Sequence, residues 1–149
     1  MLHPKTFSKQ FHLVMSVVYL VGGLIFFFLP KELFYFINVV PTVFHIGNPV
    51  SESSEYFWLA LATSMMIMLS LISFLSYKTK SAETLKALMS VHALSKITST
   101  LGFLLLALKG HVFAYWSGII TDFPLFLIVI WLITKVDVIT ETSKGSPEA

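Results

Sequence analysis

Four apolar runs, each about as long as a membrane is thick, dominate the sequence. They cover residues 11–29, 56–76, 85–108 and 112–134. A hydrocarbon layer about 30 Å thick is crossed by about 20 helical residues, so each run is long enough to span it once. The chain is 56% hydrophobic and only 12% charged, whereas soluble domains carry about 25% charged residues. The sequence therefore predicts an all-α, four-helix transmembrane bundle that forms a single integral membrane domain over residues 1–149.

The segments outside these runs are short. The first run follows a polar start that carries Lys5 and Lys9. Because this run is longer than a usual signal-peptide core and lacks an A-x-A-like cleavage site, we expect a retained helix. Residues 31–44 are rich in aromatic and branched side chains but are interrupted by Pro41, which favours a short interfacial segment in the first outer loop. Residues 135–149 are predicted to form a polar, fraying tail.

The distribution of lysines sets the expected orientation. With the N-terminus inside, the outer side holds only two lysines, Lys31 and Lys109, and the inner side holds seven: Lys5, Lys9, Lys78, Lys80, Lys86, Lys135 and Lys144. This positive-inside bias predicts a multi-pass protein of the cytoplasmic (inner or plasma) membrane with both termini in the cytoplasm.

Two opposite charges interrupt the last two apolar runs. Lys96 lies 14 residues before Gly110 in the tight turn between these runs, and Asp122 lies 12 residues after it. At 1.5 Å of rise per residue both are roughly 18–21 Å from the turn, near the middle of the membrane. A lone charge at that depth costs at least about 2.5–3.5 kcal/mol, so such residues normally find a partner. We therefore expect Lys96 and Asp122 to face each other.

Polar side chains extend from each charge along one helix face. The candidate binding or relay residues are His92, Ser95, Lys96 and Ser99 on the third helix, and His111, Tyr115 and Asp122 on the fourth. Their spacing places each group on one stripe, and the two stripes occupy opposite halves of the membrane. Together they predict a continuous polar path. Pro124 frees a backbone carbonyl beside Asp122, as is frequent at functional sites in membranes.

The polar path has two interpretations. The Lys96–Asp122 pair is either an interhelical lock that fixes helix register, or part of a titratable relay or a site for a polar or amphipathic ligand. A pair that separates when a proton or ligand arrives acts as a switch, whereas a pair that stays closed is structural.

Several kinds of chemistry are disfavoured. The chain has no cysteine, which excludes disulfides and thiolate metal sites. All its basic residues are lysine, which argues against specific nucleic-acid binding. Its dispersed histidines match no metal-ligand spacing. His12 and His92 could in principle pair as axial haem ligands, but His12 is expected at the mouth of its span. We therefore predict no metal, no cofactor and no catalytic residue.

Four spans, a long first outer loop with an interfacial segment and Glu55 at the start of the second span form a recognisable arrangement. It resembles the topology of small DoxX-type membrane proteins. The resemblance covers the whole chain but involves no diagnostic motif, so no residue role is carried over from it.

Three functions follow from these features. The favoured one is a non-enzymatic binding or accessory subunit of a membrane complex. Its expected partners are the lipid bilayer, a membrane protein or a second copy of the chain, and a small amphipathic ligand. The first alternative is a proton- or solute-coupled carrier that uses Lys96 and Asp122. The second alternative is a lipid- or quinone-linked membrane enzyme.

Overall fold

The computed structural model describes residues 4–50, 56–110 and 112–141, and these residues fold almost entirely into helices. Among them the backbone forms no β-strand. Among the described residues four helices are long and apolar enough to cross a membrane, and in the second of these the stretch that qualifies is Leu59–Lys78. The helices are α1 (Pro4–Phe28), α2 (Pro30–Phe44), α3 (Tyr56–Lys78), α4 (Ala82–Lys109), α5 (Phe113–Ile133) and α6 (Val136–Glu141).

Helix α1 begins at Pro4, earlier than the expected start at residue 11. Proline is well suited to the first position of a helix, because its missing N–H would have no partner there and its φ angle is already helical. Lys5 and Lys9 therefore lie within the first two turns of α1 rather than in a loop. Two turns of helix also precede His12, which places it well inside α1.

The expected interfacial segment is a helix, α2, which has 15 residues and is too short to cross a membrane. It continues through Pro41 to Phe44, and the residue that follows, His45, has a left-handed φ of 54°. After the helix the chain folds back, because the Asn38 side chain both accepts from the Val50 amide and donates to its carbonyl, at 2.7 and 2.8 Å.

Helices α1 and α3 pack closely along one another, and α4 and α5 form the other extensive contact. The α1–α3 contact uses small residues, as is common between helices in membranes. At Gly23 a Cβ atom would lie only 3.2 Å from the Met66 Cβ, so glycine permits this approach. Nearby, the Ser70 hydroxyl donates to the Ser16 carbonyl at 2.8 Å.

The apolar core lies at the end of the structure where α1 begins and α5 ends. Its buried residues come from α4, α5 and α6, and Phe7 and Phe11 of α1 pack against them. They are Leu85, Met89, Ala93, Val129, Leu132, Val136 and Ile139. Residues 136–141 therefore differ from the fraying tail that was predicted. Val136 and Ile139 are three residues apart, so one face of α6 carries both into the core.

Candidate functional site

The Lys96–Asp122 pair belongs to a buried polar interior between the helices. The Lys96 Nζ and Asp122 Oδ1 atoms are 2.8 Å apart, and the two side chains are only 8% and 13% exposed. The Ser99 hydroxyl donates to the second carboxylate oxygen at 2.5 Å. Both oxygens of Asp122 therefore have a partner, and the expectation that the two charges meet is confirmed.

The pair meets because α4 and α5 are antiparallel neighbours joined by the short connection at residues 110–112. Lys96 lies 14 residues before the connection and Asp122 lies nine residues into α5, so helical rise brings them to a similar level. Ser99 is three residues after Lys96, on the same face of α4. Helix α5 continues through Pro124 without interruption.

A third helix contributes to the pair through Tyr19 of α1. The Tyr19 hydroxyl and His92 Nε2 are 2.9 Å apart and form a hydrogen bond, and the two residues are 3% and 0% exposed. The Lys96 ammonium lies over the Tyr19 ring, 4.9 Å from its centroid, at cation–π distance. Tyr19 therefore connects α1 to α4 and covers the face of Lys96 that Asp122 leaves open. Tyr19 is not one of the candidate residues from the sequence, although its spacing from His12 and Ser16 places it on their face of α1.

His12 belongs to the same interior, since it is only 1% exposed. Among the described residues, neither of its ring nitrogens has a hydrogen-bond partner, and the same holds for His92 Nδ1 and Ser73 Oγ. The sequence suggests His12 at the mouth of a span, whereas in the structure two further turns of α1 precede it and neighbouring helices bury it. Within the described residues, no group of three or more histidine, aspartate or glutamate side chains is arranged to hold a metal ion.

The buried polar residues continue from the pair towards the end where α1 begins and α3 ends. Those of α1 recur at spacings of four, four and three, and those of α3 at spacings of three, which keeps each set on one helix face. They are Ser8, His12, Ser16 and Tyr19 of α1, and Ser70, Ser73 and Ser76 of α3. We call these seven residues, together with His92, Lys96, Ser99 and Asp122, the polar interior.

Towards the α4–α5 connection the surroundings of the helices are aromatic. The Tyr115 ring stacks on Phe103 with centroids 6.5 Å apart. Gly118 lies directly under the Phe103 ring, so close that a Cβ atom at this position would overlap the ring. No hydrogen bond among the described residues joins Tyr115 to Asp122, and Ser95 is half-buried outside this network. His111, the last candidate, lies outside the described residues.

Of the seven candidates from the sequence, the structure therefore brings four together: His92, Lys96, Ser99 and Asp122. Among the described residues, most of the polar interior lies on the side of the pair where α1 begins. Its groups can hold charge and can donate and accept hydrogen bonds.

These features define a class of protein: an all-helical chain with four helices of membrane-spanning length and ionisable groups buried between them. No family model, curated protein or solved structure matches the chain, so the resemblance to DoxX-type proteins stays a prediction from topology.

Proposed function

We propose that the chain is a multi-pass integral membrane protein in which α1, α3, α4 and α5 form a transmembrane bundle. The proposal is supported by the many large apolar side chains on the outside of these helices, such as Val14, Leu71, Leu105 and Ile120, which are 56–70% exposed. A soluble monomer rarely exposes so large a continuous apolar surface. The lysine bias further supports cytoplasmic termini in a cytoplasmic membrane.

This topology can be tested on a clean background, because the chain contains no cysteine. Thr79→Cys lies between α3 and α4, and Asn48→Cys lies after α2. We expect a membrane-impermeant thiol reagent added outside intact cells to label Asn48→Cys, and to label Thr79→Cys only after the membrane is opened. Labelling of both sites in intact cells would contradict the proposed topology, and recovery of the protein in the soluble fraction would contradict membrane insertion.

Within the membrane, we propose that the protein acts as a non-enzymatic binding or accessory subunit of a membrane complex. The observation that carries this proposal is the closed state of the Lys96–Asp122 pair. Both oxygens of Asp122 are bonded, and Lys96 is held between Asp122 and the Tyr19 ring. Side chains that satisfy one another's charges and hydrogen bonds favour a stable scaffold. The apolar outer faces of this scaffold are then available to lipid or to a neighbouring membrane protein.

Purification from the native membrane tests the accessory role. In a mild detergent, we expect the tagged full-length chain to co-purify with a second membrane protein at a fixed ratio. Photo-crosslinkers at exposed Ile120 of α5 and Val14 of α1 would then show which helix contacts it. Recovery of the chain alone, with only lipid adducts at both positions, would contradict the proposal.

A second candidate, a proton- or solute-coupled carrier, is favoured by one specific observation. Five ionisable side chains, His12, Tyr19, His92, Lys96 and Asp122, are buried in the same interior, and such residues often mark proton or solute pathways in membranes. Reconstituted vesicles that contain a pH dye would test this function. We expect flux to disappear in Asp122→Asn and to persist in Asp137→Asn, which alters an exposed carboxylate of α6. Flux no higher than in empty vesicles would reject the carrier.

A further inference from the structure

Four lysines converge on a cavity of about 180 Å³ at the end of the structure where α1 begins and α3 ends. Lys5 and Lys9 come from the first two turns of α1. Lys78 is the last residue of α3, and Lys80 lies in the connection to α4. An adjoining surface depression shares Lys5, Lys9 and Tyr77 with this cavity, so the basic surface continues outwards along α1.

The charge of the cavity is one-sided. Among the described residues that line it there are four lysines and no aspartate or glutamate. A bound anion would be attracted by the positive charge of these side chains. Hydroxyl groups also line the cavity, including those of Thr79 and of Ser8, which is 3% exposed. Ammonium groups and hydroxyls together are suited to the oxygens of a phosphate group.

The surroundings of the cavity favour a lipid as the source of that phosphate. Exposed apolar side chains continue from the basic residues along both helices. They include Leu13 and Val14 of α1, and Leu71 and Phe74 of α3. A lipid whose headgroup occupies the cavity could therefore lay its acyl chains along this surface. Basic pockets between membrane helices on the cytoplasmic side bind anionic headgroups in this way.

We propose that this cavity binds the phosphate headgroup of an anionic membrane lipid through Lys5, Lys9, Lys78 and Lys80. The site would hold the lipid at the cytoplasmic ends of α1 and α3. This inference rests on the proposed membrane location, but not on the accessory or carrier role of the protein.

The test uses the purified full-length chain in a neutral detergent, with bound lipids counted by native mass spectrometry during titration with phosphatidylglycerol or phosphatidylcholine. We expect one phosphatidylglycerol to bind at least tenfold more tightly than phosphatidylcholine. Each lysine near an anionic headgroup contributes about fivefold in affinity, so Lys9→Gln/Lys80→Gln should weaken binding about 25-fold. Both lysines are exposed, so the variant should keep its fold.

The matched control is Lys86→Gln/Lys135→Gln, which removes the same charge at the same end but outside the cavity. We expect its affinity for phosphatidylglycerol to stay within twofold of the parent. Equal weakening in both double variants would show diffuse electrostatic attraction and would overturn the proposal. Inorganic phosphate is the third ligand. If it binds as tightly as phosphatidylglycerol, and loses as much affinity in Lys9→Gln/Lys80→Gln, the cavity is a site for soluble anions and the lipid proposal is overturned.

The two proposals fail in distinguishable ways. A chain that stays in the membrane fraction but does not prefer phosphatidylglycerol would refute the headgroup site alone. A chain recovered in the soluble fraction would refute the membrane location itself.

Discussion

The Lys96–Asp122 pair yields the most decisive prediction, since its members can be removed singly or together. In Lys96→Met the Asp122 carboxylate keeps the Ser99 hydroxyl but loses its counter-charge. In Asp122→Leu the buried ammonium keeps only the ring face of Tyr19 among the contacts described above. In the double variant neither charge remains, and Met and Leu fill a similar volume.

The burial of the two side chains indicates how much unfolding free energy each single variant should lose. Breaking a buried ion pair by removing one partner costs about 3–5 kcal/mol, whereas replacing both partners by apolar residues is often neutral or stabilising. An ordinary interhelical hydrogen bond in a membrane contributes on average only about 0.6 kcal/mol. Because the side chains of Lys96 and Asp122 are 8% and 13% exposed, the ion-pair figure applies. We expect each single variant to lose about 3 kcal/mol.

The double variant should lie within about 1 kcal/mol of the parent protein, because no charge is left unpaired. The measurement is the free energy of unfolding in mixed detergent micelles, followed by far-ultraviolet circular dichroism. Lys86→Met is the control, since it removes an exposed lysine from α4 and should change stability by less than about 0.5 kcal/mol.

Two results would refute this reasoning. Single variants that lose less than about 1 kcal/mol would show that the pair contributes no more than ordinary hydrogen bonds. A double variant whose loss equals the sum of the single losses would show that the two residues act independently. In addition, a stably folded double variant without partner binding or flux would reject a purely structural role for the pair.

Two further variants test the contacts on either side of the pair by the same unfolding measurement. Tyr19→Phe leaves buried His92 Nε2 without its partner and should cost about 1–3 kcal/mol, and a negligible loss would argue against that hydrogen bond. Gly118→Ala forces a methyl group against the Phe103 ring and should cost about 1–3 kcal/mol. Gly102→Ala meets nothing within 4 Å and should gain up to about 1 kcal/mol, so equal effects at both glycines would contradict the close approach.

The ion pair could be predicted from the sequence because it depends only on the length of a turn and on the regular geometry of two helices. A tight turn makes two helices neighbours, and a fixed rise per residue converts sequence distance into depth. The same regularity predicted the four long helices. Helix periodicity reports which face a residue occupies, but it does not report which other helix covers that face. The Tyr19–His92 contact joins residues 73 positions apart, so it required the structure.

The boundaries of the helices were less predictable, for a different reason. Lys5 and Lys9 suggest a polar start outside the first helix, although long lysine side chains can remain on a helix and extend their charge to the surface. Pro4 was the available signal for an earlier start. The mistaken start placed His12 at the mouth of a span. At the C-terminal end of the chain, the polar composition after residue 135 predicted a tail. Val136 and Ile139 are nevertheless three residues apart, and this spacing is enough for one face of a short helix to be buried.

The short connection between α4 and α5 has a consequence for how the protein is made. The ribosome completes Lys96 first, and Asp122 follows 26 residues later. At about 5–20 residues per second, that interval is about 1–5 s. In the proposed transmembrane bundle, α4 would carry an uncompensated charge during this time, and that charge would oppose its transfer into lipid. Insertion of α4 together with α5, as one neutral hairpin, would avoid that penalty, so on the proposed topology the insertion of α4 would depend on the synthesis of α5.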